Sequence, residues 1–201
     1  MSPLDRLRSP AGRAELTDEQ SQLIFGGTLS TRFASLPLTW SHPMMVGAFY
    51  GGLVSLVLIL PSTQAAPDLA AWLLAWSLQS LGVVAFTATC GLASHIITNA
   101  RPRAPMKPMR RALYPMPFVG ALLLSLDATL AAWPLPRELG WVFILFPGIA
   151  WVHISWAPRW HLLTRVASGA PLPGPVHGEE EGPHEVRMDA DLDAVIESLD
   201  D

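Results

Sequence analysis

Asp127 is the acidic residue that lies deepest in a predicted membrane-spanning segment of this 201-residue chain. A carboxylate inside a bilayer is costly, so it indicates a functional site unless it is paired or protonated. Ser125 and Thr129 flank Asp127, and Arg137 follows closely enough to reach it across a turn. We expect either a polar group that holds two helices together or a site for protons or cations. The second alternative predicts a small oligomeric transporter or channel centred on Asp127.

Three histidines, His42, His95 and His153, are predicted at comparable depth near one end of three different helices. Imidazole is a common axial ligand of haem iron, and it can also bind the magnesium of chlorophyll-type pigments. Two of these rings could bracket one macrocycle, which predicts a tetrapyrrole-binding electron-transfer subunit. Histidines buried or interfacial without any cofactor explain the same positions, so both interpretations stay open.

The chain carries none of the sequence patterns that identify common reaction centres. No Cys or His pair has zinc-ligand spacing, and no nucleophile elbow, P-loop or dinucleotide fingerprint occurs. The single cysteine, Cys90, excludes a disulfide within the chain. We therefore expect a protein that is not an enzyme.

Five cations are concentrated between the second and third predicted spans: Arg101, Arg103, Lys107, Arg110 and Arg111. Prolines interrupt this segment too often for a helix. Such a loop is expected to bind anionic lipid headgroups, with an acidic protein partner as the alternative. The formal charge of −4 gives no reason to expect a nucleic-acid partner, because 10 of the 17 acidic residues follow Pro175.

Residues 170–201 have the Pro/Gly-rich and then acidic composition of a disordered cytoplasmic tail. Within residues 191–199, one apolar helical face recurs at helical spacing and consists of Leu192, Val195, Ile196 and Leu199. A helix this short is marginal alone, so we expect it to fold against a cytoplasmic partner.

Half of the residues are hydrophobic and only 15% are charged, which favours a membrane protein. A bilayer core takes roughly 20 helical residues to cross. Four stretches are predicted to do so, at about 38–60, 68–98, 112–133 and 139–160. The fold prediction is an all-α integral membrane bundle of four helices in two antiparallel hairpins. It places an N-terminal segment at 1–37, the transmembrane domain at 38–169 and a tail at 170–201, with a kink near Pro147.

The cations indicate the orientation of this bundle. Of the 13 Lys and Arg residues, 12 fall on one side of the predicted spans, and Arg137 alone falls on the other. The positive-inside rule then places both termini in the cytoplasm. The excess of Arg over Lys is typical of a GC-rich bacterial genome and predicts the bacterial inner membrane. Tryptophans are expected as two interfacial belts, an outer one of Trp72, Trp76, Trp133 and Trp141 and an inner one of Trp40, Trp156 and Trp160.

The N-terminal segment contains a predicted helix start, with Thr17 as N-cap and Gln20 completing a capping box. Gly26 and Gly27 would end this helix. Its apolar residues, Leu23, Ile24 and Phe25, suit the membrane surface or a partner.

Small residues recur at helical spacing in three predicted spans and allow helix backbones to approach. The faces comprise Gly47, Gly51 and Ser55 in the first, Ser77, Ser80, Thr87, Gly91 and Ser94 in the second, and Ala121, Ser125 and Thr129 in the third. They predict packing within the chain or against other membrane subunits. The leading functional hypothesis is a non-catalytic accessory, assembly or scaffold subunit of a larger complex.

Overall fold

The computed structural model describes residues 3–9, 12, 16–65, 68–130 and 137–170. Every regular element in these residues is helical. The helices are α1 (Pro3–Arg8), α2 (Asp18–Ile24), α3 (Thr28–Ser35), α4 (Pro43–Val57), α5 (Ile59–Ala65), α6 (Leu69–Ala100), α7 (Arg110–Leu113), α8 (Met116–Thr129), α9 (Arg137–Trp151), a π-helical segment (Val152–Trp156) and α10 (Ala157–Ala167).

Three helical stretches of the described residues are long and apolar enough to cross a membrane, judged by length and composition. They are Leu69–Ala100, Arg111–Thr129 and Arg137–Ala167. These stretches correspond to the second, third and fourth predicted spans. The first predicted span is shorter than expected, because α4 has 15 residues.

The start of the first predicted span needs a correction. Leu38 to Ser41 form turns, and the helix begins at Pro43. His42 is the N-cap, and its Nδ1 accepts a hydrogen bond from the Met44 N–H at 3.2 Å. Proline at the first helical position suits such a start, since its missing N–H would have had no partner in the helix. Pro61 does not stop the helical region either, because it lies in the first turn of α5.

The first helix pair is antiparallel and is held by close backbone contact between α4 and α6. A Cβ atom added at Gly47 would collide with the Thr87 carbonyl, and one added at Gly91 would collide with the Pro43 carbonyl. Further along the same pair, the Ser55 hydroxyl donates to Ser80 O at 3.5 Å. Small residues of the two predicted faces therefore pack against each other within the chain.

A second antiparallel pair is formed by α8 and α9. A Cβ at Gly120 would lie 2.7 Å from the backbone N of Ile144 and 2.8 Å from Gly140 O. Gly140 in turn packs under the Leu124 side chain, where a Cβ would lie 2.9 Å from its Cδ2. In both pairs, glycine residues allow the two helix backbones to come into contact, and this contact sets the distance between the helices.

Tyr50 joins the two pairs. Its hydroxyl donates a hydrogen bond to Ile144 O at 2.5 Å, and its ring lies directly against Gly148. Any side chain at Gly148 would occupy the space of this ring. Helix α9 continues through Pro147, and the helical register changes five residues later, in the π-helical segment.

The N-terminal segment packs onto the end of the helices that carries the basic loop. The capping box is confirmed: Gln20 N–H donates to Thr17 Oγ1 and Thr17 N–H donates to Gln20 Oε1, both at 3.2 Å. The expected membrane-surface role of Ile24 and Phe25 is wrong, since only 1% and 6% of these residues are exposed. They belong to a core cluster with Trp156, which is why this tryptophan does not form part of an interfacial belt.

Helix α1 docks on α3 through Arg8. Its Nε donates to Ala34 O at 2.8 Å, and its Nη2 donates to Leu36 O at 2.5 Å. Burial lowers the pKa of the Arg8 guanidinium, against an opposing effect of the Asp5 carboxylate. The two hydrogen bonds satisfy carbonyls at the C-terminal end of α3, where no helical N–H remains to do so.

We predict that Gly47→Val separates α4 from α6 and destabilises the protein, whereas Gly52→Val does not. A side chain at Gly47 meets the α6 backbone, but nothing lies within 4 Å of a Cβ at Gly52. Overpacking of this kind costs about 1–3 kcal/mol. Thermal unfolding of both variants in the same detergent measures the difference. Equal loss of stability in the two variants would contradict the packing described here.

Candidate functional site

Asp127 forms an ion pair with Arg137, the only salt bridge found among the described residues. Arg137 Nε lies 3.0 Å from Asp127 Oδ2, with 60% of the Arg137 side chain and 26% of the Asp127 side chain exposed. The flanking hydroxyls bond within their own helix: Ser125 donates to Ala121 O and Thr129 to Ser125 O, each at 2.9 Å. The pair therefore connects α8 to α9 at the start of α9.

A cavity of about 220 Å³ lies beside this ion pair. Arg137 contributes to its wall together with Gln79, Ser62 and Trp141, while Asp127 is not among the described residues that line it. The carboxylate is thus engaged by its cation rather than directed into the cavity. Transport centred on Asp127 stays a prediction.

Two of the three predicted histidines meet, and they do so around a tryptophan. The ring centroids of His42 and His95 are 4.7 Å apart, and Trp160 lies 4.7 Å from His42 and 4.9 Å from His95. A fourth histidine, His161, joins through Asn99: the amide donates to His95 Nε2 at 3.1 Å, and its oxygen lies 2.9 Å from His161 Nδ1.

In this orientation of the Asn99 amide, His95 Nε2 is the acceptor. His95 Nδ1 is buried and has no hydrogen-bond partner within the described part of the chain. His153 lies apart from this group, with Nδ1 3.2 Å from the Ser94 hydroxyl.

The contact between His42 and His95 bears on the tetrapyrrole hypothesis. Two imidazoles that bind one metal from opposite faces of a macrocycle have their centroids roughly 6 Å apart, given metal–nitrogen bonds of about 2 Å. At 4.7 Å and an interplanar angle of 65°, the two rings leave no space for a macrocycle between them. Across the described ranges, no three His, Cys, Asp or Glu side chains converge as metal ligands. A bound tetrapyrrole stays a prediction, and a macrocycle held between His42 and His95 would require these two rings to separate.

The basic loop is held against the π-helical segment by hydrogen bonds to two carbonyls of that segment. In the π register the Ala157 N–H donates to Val152 O. The next N–H would come from residue 158, which could reach His153 O in the π register or Ile154 O in the α register, and proline has none. His153 O instead accepts from Arg103 Nη2 at 2.8 Å, and Ile154 O accepts from the Met106 N–H at 3.0 Å.

Arg159 is a buried cation one turn further along, with 3% of its surface exposed. Its Nη1 donates to Ser155 O at 2.8 Å and also to the Ser155 hydroxyl. The guanidinium lies against Gly26, where a Cβ would come within 2.7 Å of Nη2. Gly26 also has φ +59°, a conformation that disfavours other residues. Gly26 therefore adopts the left-handed conformation that ends α2, and its lack of a side chain leaves room for the Arg159 guanidinium.

The remaining cations of the basic loop differ in their surroundings. Lys107 and Arg111 line a cavity with Arg159, while Arg101 is exposed and lines neither this cavity nor two others, of about 320 and 220 Å³. The side chain of Arg110 lies outside the described residues. So do the predicted partner-binding residues of the tail, Leu192, Val195, Ile196 and Leu199.

The outward face of α6 is a further candidate surface. Only 6% of the most apolar part of this 32-residue helix is buried inside the chain. Ala75, Gly82, Thr89 and Ala93 are all exposed, and they fall within about 20° of Gly82 at roughly 100° per residue. Nothing lies within 4 Å of a Cβ built at Gly82. The opposite face, including Thr87 and Gly91, is buried against α4.

His161 and Arg159 were not among the residues selected from the sequence. The predicted fourth span ended at 160, but the helix continues to Ala167, which carries His161 beside Asn99. A signal for Arg159 exists in the sequence: a cation inside an apolar stretch, and a Gly26–Gly27 doublet that could make room for it. Gly26 and Arg159 come together only because the N-terminal segment packs on α10, and the spacing of residues in the sequence does not predict that packing.

Comparison of the chain with models of protein families, with curated proteins and with solved structures finds no significant match in any of the three.

We predict that Pro158→Ala loosens the basic loop, because the restored N–H can bond to a carbonyl that the loop now uses. Losing a backbone hydrogen bond of about 0.5–1.5 kcal/mol should speed amide exchange at Met106 roughly two- to tenfold. Hydrogen–deuterium exchange on the peptide containing Met106 measures this. Pro147→Ala is the control, since Pro147 is buried in the same helical stretch but precedes these carbonyls. Unchanged exchange in Pro158→Ala, or equal acceleration in both variants, would contradict this role.

Proposed function

We propose that this chain is a non-catalytic accessory or scaffold subunit of a larger complex in a bacterial cytoplasmic membrane. The observation that carries the proposal is the outward face of α6, which is apolar, little covered by the chain itself and rich in small residues. The basic loop and the acidic tail are further contact regions for lipids and for a cytoplasmic partner.

Lipid alone does not account for small residues on that face. Acyl chains cover large and small side chains equally well, whereas a neighbouring helix needs small residues for its backbone to approach. The exposed side chains of α8 show the contrast. Phe118 and Leu122 are 74% and 58% exposed and are large, as expected for a surface that faces lipid. On α6, Gly82, Thr89 and Ala93 instead form a narrow stripe between exposed large side chains such as Leu78 and Phe86, and this stripe offers a groove for a partner helix.

The proposal includes four membrane crossings, the first made by α4 and α5 together. Contacts along α6 run from Pro43, beside Gly91, to Ser62, whose hydroxyl accepts from Trp72 Nε1 at 2.9 Å. This length of helix spans roughly 28 Å at about 1.5 Å per residue, close to a hydrocarbon core of about 30 Å. The cation bias then favours cytoplasmic termini.

We predict that Gly82→Leu weakens association with the partner subunit, because a large side chain keeps the partner backbone away from α6. Gly52→Leu should leave association unchanged, since it adds the same bulk to an equally open position on α4. A photo-crosslinking residue at Thr89 should capture a distinct membrane subunit, identified by mass spectrometry, and one at Leu122 should capture lipid. The Thr89 crosslink should fall at least fivefold in Gly82→Leu.

Equal crosslinking from Thr89 and Leu122 would show that the face of α6 contacts lipid only. Equal effects of Gly82→Leu and Gly52→Leu would also contradict the proposal. Both variants should keep the wild-type unfolding temperature, because a Cβ built at either glycine meets no other part of the chain within 4 Å.

We predict the topology as well, by labelling single cysteines in a Cys90→Ala background. Exposed positions at Ser35, Ala104 and Ser168 should react with a membrane-impermeant maleimide only after the cells are opened. A cysteine at Thr63, at the other end of α4–α5, should react in intact cells. Labelling of Thr63 on the same side as Ala104 would show that α4 and α5 do not cross the membrane.

A further inference from the structure

A cation-lined cavity of about 480 Å³ lies where the basic loop, the N-terminal segment and α10 meet. Lys107 and Arg111 contribute exposed cations, and Arg159 contributes a buried one. The described residues that line the cavity include no acidic side chain. Three cations, two from the basic loop and one from α10, thus surround one space, and that arrangement suits an anion rather than a metal ion or a neutral ligand.

The N-terminal segment adds polar groups to the same cavity. Gly26, Gly27 and Ser30 line it, and Gly27 is the N-cap of α3, with no side chain to bond the first N–H groups of that eight-residue helix. Backbone N–H groups at a helix start attract anions. They reinforce the cations but would not define a site alone.

An apolar cavity of about 320 Å³ adjoins the cationic one. The two share the wall formed by Gly27, Ser30, Pro108 and Trp151. Beyond this wall the apolar cavity is lined by the Tyr50, Leu113 and Pro117 side chains among others, and no charged residue is among those described there. A cationic space beside an apolar one is complementary to an amphiphile with an anionic head.

We propose that the two cavities together bind one anionic phospholipid from the leaflet on the side of the basic loop. Its phosphate lies among Lys107, Arg111 and Arg159, and the start of one acyl chain enters the space between Tyr50, Leu113 and Trp151. A free phosphate would use only the cationic cavity and would leave the apolar one without a role. The inference is independent of the partner subunit proposed for α6, which lies on a different surface.

The bound lipid would couple the N-terminal segment to the helices. Gly27 and Ser30 belong to that segment, Lys107 and Arg111 to the loop region, and Tyr50 and Trp151 to the two helix pairs. A ligand that contacts all of them stabilises their mutual arrangement by its own binding free energy.

Native mass spectrometry of the full chain with defined lipids tests the proposal. Wild-type protein should retain one phosphatidylglycerol and should prefer it to phosphatidylcholine at least tenfold. Lys107→Gln combined with Arg111→Gln should lower phosphatidylglycerol occupancy at least tenfold. Arg101→Gln, a control in the same loop that lines neither cavity, should change it less than twofold. These exposed substitutions should leave the unfolding temperature in the absence of lipid unchanged.

A second arm tests the apolar cavity and the source of the anion. Leu113→Trp fills that cavity and should displace the lipid, whereas Phe118→Trp, on the exposed face of α8, should not. Glycerol phosphate at millimolar concentration should fail to compete. Effective competition by glycerol phosphate would assign the site to a soluble phosphate and overturn the proposal. Equal losses in Arg101→Gln and in the Lys107→Gln, Arg111→Gln variant would reduce the interaction to a general attraction between basic loop and anionic surface, and would overturn it as well.

Discussion

Close backbone contact between antiparallel helices is the constraint on which the rest of this structure depends. In a bilayer, apolar side chains gain little by leaving lipid for another helix, so packing and hydrogen bonds must hold helices together. Gly47 and Gly91 bring α4 and α6 into contact, and Gly120 and Gly140 do the same for α8 and α9. Each contact also sets a register, because only one alignment places the glycines against the facing backbone.

The two registers determine where the polar residues lie. Alignment of Pro43 with Gly91 brings His42 to His95, and alignment of Gly120 with Ile144 brings Asp127 to Arg137. Tyr50 then joins the pairs. At the end that carries the basic loop, two carbonyls of the π-helical segment accept hydrogen bonds that hold the loop in place. The polar features of the two ends therefore follow from packing in the middle of the helices.

Several of these features could be predicted from the sequence because they depend on local rules. The capping box at Thr17 requires only two residues three positions apart, and the helical class follows from apolar length and composition. Arg137 could be expected near Asp127 because both lie beside the same turn. Predictions failed where a residue's surroundings come from distant parts of the chain. Ile24 and Phe25 have an apolar character that suits lipid, a partner or a core equally well, and only the fold decides that they pack with Trp156.

The cationic cavity and the start of the first predicted span could not be predicted for the same reason: both depend on contacts between distant parts of the chain. The Leu38 side chain is as apolar as those of membrane-spanning residues, but Leu38 lies in a turn. Its carbonyl accepts a hydrogen bond from Trp160 Nε1 at 3.1 Å. Arg159 lies on α10, but its guanidinium lies against Gly26 of the N-terminal segment. Sequence spacing predicts contacts within one helix or across one turn, whereas these contacts join residues more than 100 positions apart.

The mass of the particle released from native membranes tests the central claim, that α6 presents a docking face, most directly. Native mass spectrometry on vesicles of the source membrane measures it without detergent. If α6 carries a docking face, the released particle is an assembly heavier than the 21.8 kDa chain and contains at least one other polypeptide. Release of the 21.8 kDa chain with lipid alone, and with no second polypeptide, would contradict it.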